Sequence, residues 1–144
     1  MERQSRRTFL KDSGMVLLGA GMAASTIGCA ALTTFETTPQ DGRVTVDTAT
    51  FKELAVVGGA IQVSVSRGGD PVLLIRTGPN GFQALSPICT HLGCQVRKTR
   101  YALRCPCHGS VYDFDGRVTE GPAKESLTVY PVELSGTTVT IRIG

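Results

Sequence analysis

Beyond residue 43, apolar positions fall at alternate residues or in short unbroken runs, and β-branched side chains dominate them. This period predicts short strands at Val44 to Asp47, Ile61 to Ser66, Val72 to Arg76, Phe82 to Leu85, Ala102 to Cys105, Leu127 to Val132 and Thr137 to Ile143. Turn formers separate them: Gly-Gly at 58 to 59, Gly-Gly-Asp at 68 to 70, Pro-Asn-Gly at 79 to 81, Asp-Gly at 115 to 116 and Ser-Gly at 135 to 136. Closely spaced strands and turns predict an all-β sandwich or barrel. A helical turn is expected only around Thr50 to Leu54.

The start of the chain has a different pattern. Ser13 to Phe35 carries no charge, and Gly14 to Leu32 as a helix would extend about 28 Å, close to the roughly 30 Å hydrocarbon thickness of a bilayer. Thr33 to Gly42 is rich in turn formers and without period, so it reads as a linker. The expected organisation is an N-terminal signal or anchor over 1–35, a linker over 36–42 and one small all-β domain over 43–144.

Composition adds little to this picture. The net charge of +3 is mild, and much of the excess sits in Arg3, Arg6, Arg7 and Lys11, so no broad basic face points to nucleic acid. Arg97, Lys98, Arg100 and Arg104 form the one basic run within the domain, and they read as a solvated hairpin more readily than as a docking patch.

Residues 5 to 11, Ser-Arg-Arg-Thr-Phe-Leu-Lys, resemble the twin-arginine export signal of bacteria. Basic residues ahead of the apolar stretch would stay in the cytoplasm, which puts the domain on the outer, periplasmic face of the cytoplasmic membrane. Thr26-Ile27-Gly28-Cys29 resembles a lipoprotein processing site, so the anchor is either a retained helix or a lipid on Cys29, with simple cleavage as the third fate.

Chemistry concentrates between residues 89 and 110. Cys89, Cys94, Cys105 and Cys107 lie there, together with His91 and His108, the only two histidines of the chain, in the segments Cys-Thr-His-Leu-Gly-Cys and Cys-Pro-Cys-His-Gly-Ser. The residues alone allow several metal sites: Cys2His2 zinc, four thiolates with free histidines, or an iron–sulfur cluster. Zinc spacing gives no reason for a further cysteine in each loop, and four thiolates leave the matched histidines unexplained.

The pair of segments, C-x-H-L-G-C followed by C-P-C-H-G-S, resembles the Rieske iron–sulfur proteins, in particular the subunit of cytochrome bc-type complexes. The resemblance covers residues 43 to 144 and implies an antiparallel sandwich or barrel with a small cluster-binding subdomain, preceded here by one apolar helix. It implies one [2Fe-2S] cluster per chain, with Cys89 and Cys105 on one iron and His91 and His108 on the other. Cys94 and Cys107 would form a disulfide joining the loops, which suits an oxidising compartment. Ser110 and Tyr112 match positions that donate hydrogen bonds to sulfur, Leu92 would cap the cluster, and Gly121-Pro122-Ala123 resembles the family's proline loop. Ten residues separate Cys94 from Cys105, so insertions found there in larger relatives are missing.

The same resemblance implies electron transfer in a quinol:cytochrome c oxidoreductase. A cytochrome b-type membrane subunit, quinol and a c-type cytochrome would be the partners, and His108 would bind the quinol hydroxyl and take its proton. An exported Rieske small subunit serving another oxidase, of the arsenite oxidase type, is the alternative. A Rieske oxygenase is disfavoured, because no histidines remain for a mononuclear iron.

Overall fold

A computed structural model describes residues 31–66 and 68–144 of the chain. The twin-arginine segment, Cys29 and nearly all of the expected apolar helix lie outside the described residues. Among the described residues no helix is long and apolar enough to cross a membrane.

Ala31–Gly144 is an all-β unit of three sheets. The first sheet has the order β1 (Thr34–Thr37), β3 (Ala60–Val65), β4 (Val72–Arg76), β5 (Phe82–Leu85) and β10 (Val129–Tyr130). The second runs β11 (Val132–Ser135), β12 (Thr138–Arg142), β2 (Arg43–Asp47), and the third β6 (Arg97–Lys98), β7 (Leu103–Arg104), β8 (Val111–Tyr112), β9 (Val118–Glu120). The expected helical turn is two short 3-10 turns, Thr48–Thr50 and Lys52–Ala55.

The strand β4 explains how the sheets stack. Its run Val-Leu-Leu-Ile is buried on both faces, as an unbroken apolar strand should be. Val72 and Leu74 face a first core with Val44 and Val46 of β2 and Val139 and Ile141 of β12. Leu73 and Ile75 face a second core made with Cys89, Val96, Leu103, Cys105 and Tyr112. The first sheet is therefore a wall between an ordinary sandwich core and a core that carries the candidate ligands.

Several boundaries differ from the sequence reading. The run Leu127 to Val132 is two strands, because Pro131 has no N–H to give a ladder: β10 pairs with β5, and after the proline β11 pairs with β12 of the other sheet. The strands β6, β8 and β9 are two or three residues long, too short for alternation to show.

The expected linker also departs from its reading. Thr34–Thr37 pairs in parallel with β3, so one ladder of the expected antiparallel fold is parallel. Phe35 packs edge-on against Phe51 at 5.5 Å, and Leu32, neither helical nor free, packs on the second core. Thr33 donates to Glu53 at 2.6 Å and its carbonyl accepts from Gln62 N–H at 2.9 Å. Alternating half-burial of Phe35 and Thr37 is a strand signal, but it is hidden among turn formers.

Two predictions follow from the two cores and from this edge. Leu73→Ala and Leu74→Ala should each cost about 2–5 kcal/mol in urea unfolding; only Leu73→Ala should speed alkylation of Cys89 and Cys105 in metal-free protein, and equal alkylation by both variants would refute the division. The Thr33 hydroxyl holds the Glu53 carboxyl below the usual range. Its stabilisation is thus complete above the unfolded pKa and lost as pH falls through the folded one. Thr33→Val should be less stable than the parent near neutrality, with the gap closing in acid; a pH-independent gap counts against the bond.

Candidate metal centre

Two loops rise from the second core with one backbone design. Cys89 N–H donates to the Cys94 carbonyl at 2.8 Å and Gly93 N–H to the Cys89 carbonyl at 2.9 Å. In the second loop Cys105 N–H donates to the Ser110 carbonyl at 2.8 Å and Gly109 N–H to the Cys105 carbonyl at 3.1 Å. Each loop closes between a cysteine and the fifth residue after it. Gly93 and Gly109, at φ +78° and +85°, occupy the left-handed position that lets the chain turn back, where a side chain would be strained.

The shared closure carries different donors. In the first loop the histidine is two residues after the cysteine and in the second it is three after. The rings of His91 and His108 meet edge to face, with centroids 4.9 Å apart and planes at 88°. Cys94 and Cys107 form a disulfide between the loops, with Cα atoms 6.4 Å apart. Cys89 and Cys105 are free thiols, 2% and 1% exposed. The sulfurs of Cys94, Cys105 and Cys107 lie within 4.8 Å of one another, but a disulfide offers no thiolate, so this trio is not a ligand set.

The residues fit a [2Fe-2S] cluster held by two thiolates and two imidazoles. Nδ1 of His91 is buried without a hydrogen-bond partner among the described residues, an orphan that a metal ion would satisfy. The environment of Cys89 also suits a thiolate. Burial pushes its thiol up, yet hydrogen bonding from the Tyr112 hydroxyl, the His91 backbone, the Cys105 thiol and the Leu92 backbone holds it below the ordinary thiol range. Burial and the neighbouring Cys89 push the Tyr112 hydroxyl up, so it keeps its proton and remains a donor.

Tyr112 stands on β8 and is fully buried, with its oxygen 3.2 Å from the Cys89 sulfur. That oxygen accepts from Thr90 N–H at 3.2 Å and lies 3.0 Å from the Thr90 hydroxyl. Thr90 donates its own proton to the Glu125 carbonyl at 2.7 Å, leaving the Tyr112 proton to serve the sulfur or the threonine oxygen. Ser110, also fully buried, accepts from Ala123 N–H at 3.0 Å, which leaves its hydroxyl proton for another acceptor. These bonds tie the segment Gly121 to Glu125 to both ligand loops. The Leu92 side chain is 68% exposed at the loop tip, and His108 is exposed as well.

The structure therefore brings together Cys89, His91, Cys105, His108, Ser110 and Tyr112, with the Cys94–Cys107 bridge between them. Thr90 and Glu125 belong to the same network and were not singled out in the sequence. Thr90 lies inside the first motif, but its role depends on a tyrosine and a carbonyl that only folding puts beside it.

Residues 46–131 match the family model for the Rieske [2Fe-2S] domain. The chain is 44% identical over 77 residues to the cytochrome b6-f complex iron-sulfur subunit of Parasynechococcus marenigrum, a match covering 51% of this chain and 43% of that one. The corresponding subunit of Prochlorococcus marinus strain MIT 9301 gives 44% over 78 residues, 51% of this chain and 44% of that one. The chain thus matches less than half the length of these relatives. Among solved structures, the plasma membrane Rieske protein from Synechocystis PCC 6803 is 32% identical, with TM-score 0.52 over 58% of this chain and 85% of that one. A quaternary ammonium Rieske monooxygenase, in its apo form, shares the fold at TM-score 0.59 and 20% identity, over 72% of this chain and 33% of that one.

Donors aimed at ligand sulfur favour the more negative, reduced state, so losing one should lower the reduction potential. At about 1 kcal/mol per hydrogen bond, Tyr112→Phe and Ser110→Ala should each lower it by roughly 40 mV in a one-electron titration. An unchanged potential in a variant with a normal EPR signal would remove that residue from the network.

Proposed function

The chain belongs to the Rieske [2Fe-2S] family, and from that premise we propose that it takes an electron from quinol and delivers it to a c-type cytochrome as the iron–sulfur subunit of a membrane oxidoreductase. Its role as a Rieske electron-transfer protein resembling cytochrome b6-f subunits is given by the family match and the relatives. The finer reading rests on one observation: the Tyr112 hydroxyl, 3.2 Å from the Cys89 sulfur, together with buried Ser110, supplies donors of the kind that raise a cluster's potential toward the range quinol can reduce.

When bound, the cluster supplies a site that accepts and gives up one electron at a time. The protein's own side chains do the rest. His108 is exposed, so its outward ring nitrogen can accept a hydrogen bond from a quinol hydroxyl and take its proton as the electron departs. Leu92, exposed beside His91, offers an apolar rim for the quinone ring or the membrane subunit. The thiolate side of the centre faces the core, so access is from the histidine side.

The disulfide suits the oxidising outer face of the membrane, and the similar Synechocystis protein is described as a plasma membrane protein. The twin-arginine-like segment and the uncharged stretch after it support export and anchoring. In this reading a cytochrome b-type subunit and a c-type cytochrome are the partners.

Membranes from cells making this chain should contain it together with b-type haem, and should reduce cytochrome c with added quinol. Leu92→Ala should keep the EPR signal while slowing that rate about tenfold, the worth of one lost apolar contact near 1.4 kcal/mol. His108→Ala should abolish both signal and rate. A preparation without b haem, or a quinol rate that survives the loss of His108, would sink the proposal.

A further inference from the structure

A free thiol stands beside the bridge that joins the two ligand loops. The Cys105 sulfur lies within 4.8 Å of both bridge sulfurs, those of Cys94 and Cys107. Cys89, the other free thiol among the described residues, is not part of this trio, and its sulfur is instead 3.2 Å from the Tyr112 hydroxyl. A thiolate beside a disulfide exchanges with it without any oxidant, because attack on one sulfur expels the other. The thiolate is both the nucleophile and the metal ligand, so a sulfur committed to iron is withheld from that attack.

The two bridge sulfurs differ as targets. Cys107 is exposed and Cys94 is half-buried. Attack on Cys94 expels Cys107, whose thiolate is hydrated at the surface. Because Cys105 and Cys107 belong to the same loop, the new Cys94–Cys105 bridge still joins the two loops. Attack on Cys107 would tie Cys105 to its own loop and leave the two loops unlinked, forfeiting the constraint that a cross-link between them places on the unfolded chain. Exchange is therefore directed to Cys94.

We propose that the Cys105 thiol, when not bound to iron, exchanges with the Cys94–Cys107 bridge and so populates a form bridged Cys94–Cys105 that does not hold the cluster. In this step the Cys105 thiolate forms a bond to the Cys94 sulfur, and the Cys94–Cys107 bond breaks with its electron pair going to Cys107. The Cys107 thiolate takes up the proton that Cys105 lost. One disulfide and one thiol are present before and after, so nothing is oxidised overall. The exchanged form keeps Cys89, His91 and His108 but has no free sulfur at Cys105, and its new thiol is exposed. Exchange thus competes with cluster insertion, since an exchanged chain must first recover its Cys105 sulfur. The inference rests on Cys105 being a ligand and not on quinol oxidation.

The test uses the full chain in detergent, first as holoprotein and then after anaerobic removal of the cluster with a chelator, gel filtration to remove sulfide, and incubation near neutral pH. Each sample is quenched in acid, denatured and alkylated with N-ethylmaleimide, and the labelled cysteines are located by peptic digestion and tandem mass spectrometry. Within the domain, the holoprotein should carry label at Cys89 and Cys105. In the cluster-free chain label should shift from Cys105 to Cys107, with Cys89 still labelled and the number of free thiols unchanged. Cys89→Ser, which has no complete ligand set, should show the same shift as purified. Label that stays on Cys105 would overturn the proposal. So would label lost from Cys89 as readily as from Cys105, which is the scrambling of an unfolded chain, or a fall in free thiols, which is oxidation of Cys89 with Cys105.

Discussion

Four donors on two loops can grip one cluster only if the loops cannot drift apart, and the structure meets that constraint from below and from above. Below, Cys89 and Cys105 are buried in the core that Leu73 and Ile75 of β4 close. Above, the Cys94–Cys107 disulfide joins the loops across the space between them. The cysteines are thus part of the packing, and displacing either would open a cavity as well as a coordination sphere. The shared closure from each cysteine to the fifth residue after it gives both loops the same shape, although their histidines stand at different positions.

That rigidity lets hydrogen bonds tune the site. A donor changes the electronic character of a sulfur only while it is held at bonding distance, and Tyr112 is held by full burial and by Thr90 N–H. The Thr90 to Glu125 and Ser110 to Ala123 bonds extend the same frame to a third segment. Packing and hydrogen bonds act on the side of Cys89 and Cys105. On the other side His108 is exposed.

Two features lie at the margins of the domain. The edge strand β1 fastens the chain to the first sheet from Thr33 onward, so the start of the stretch read as a linker belongs to the sheet. The hairpin of β6 and β7 sets Arg97 opposite Arg104.

The motif residues were legible in the sequence as two matched segments, each with two cysteines, a histidine and a glycine, and the assignment of Cys89, His91, Cys105 and His108 as ligands came from the resemblance those segments carry. The runs that became β2, β3, β4, β5 and β12 were legible because burial of a strand face writes its period directly into the chain. What folding alone decided depends on residues distant in the chain meeting. Pro131 lies inside a run that reads as one strand, and the presence of two sheets made it the point where the chain changes from one to the other. Thr34–Thr37 became a strand because β3 offered it an open edge, and no local pattern encodes a partner's edge. Thr90 joined the site, and Arg97 met Arg104, through registers fixed by the loops and ladders between them. A sequence specifies which groups can do the chemistry; distance and register exist only once the chain has folded.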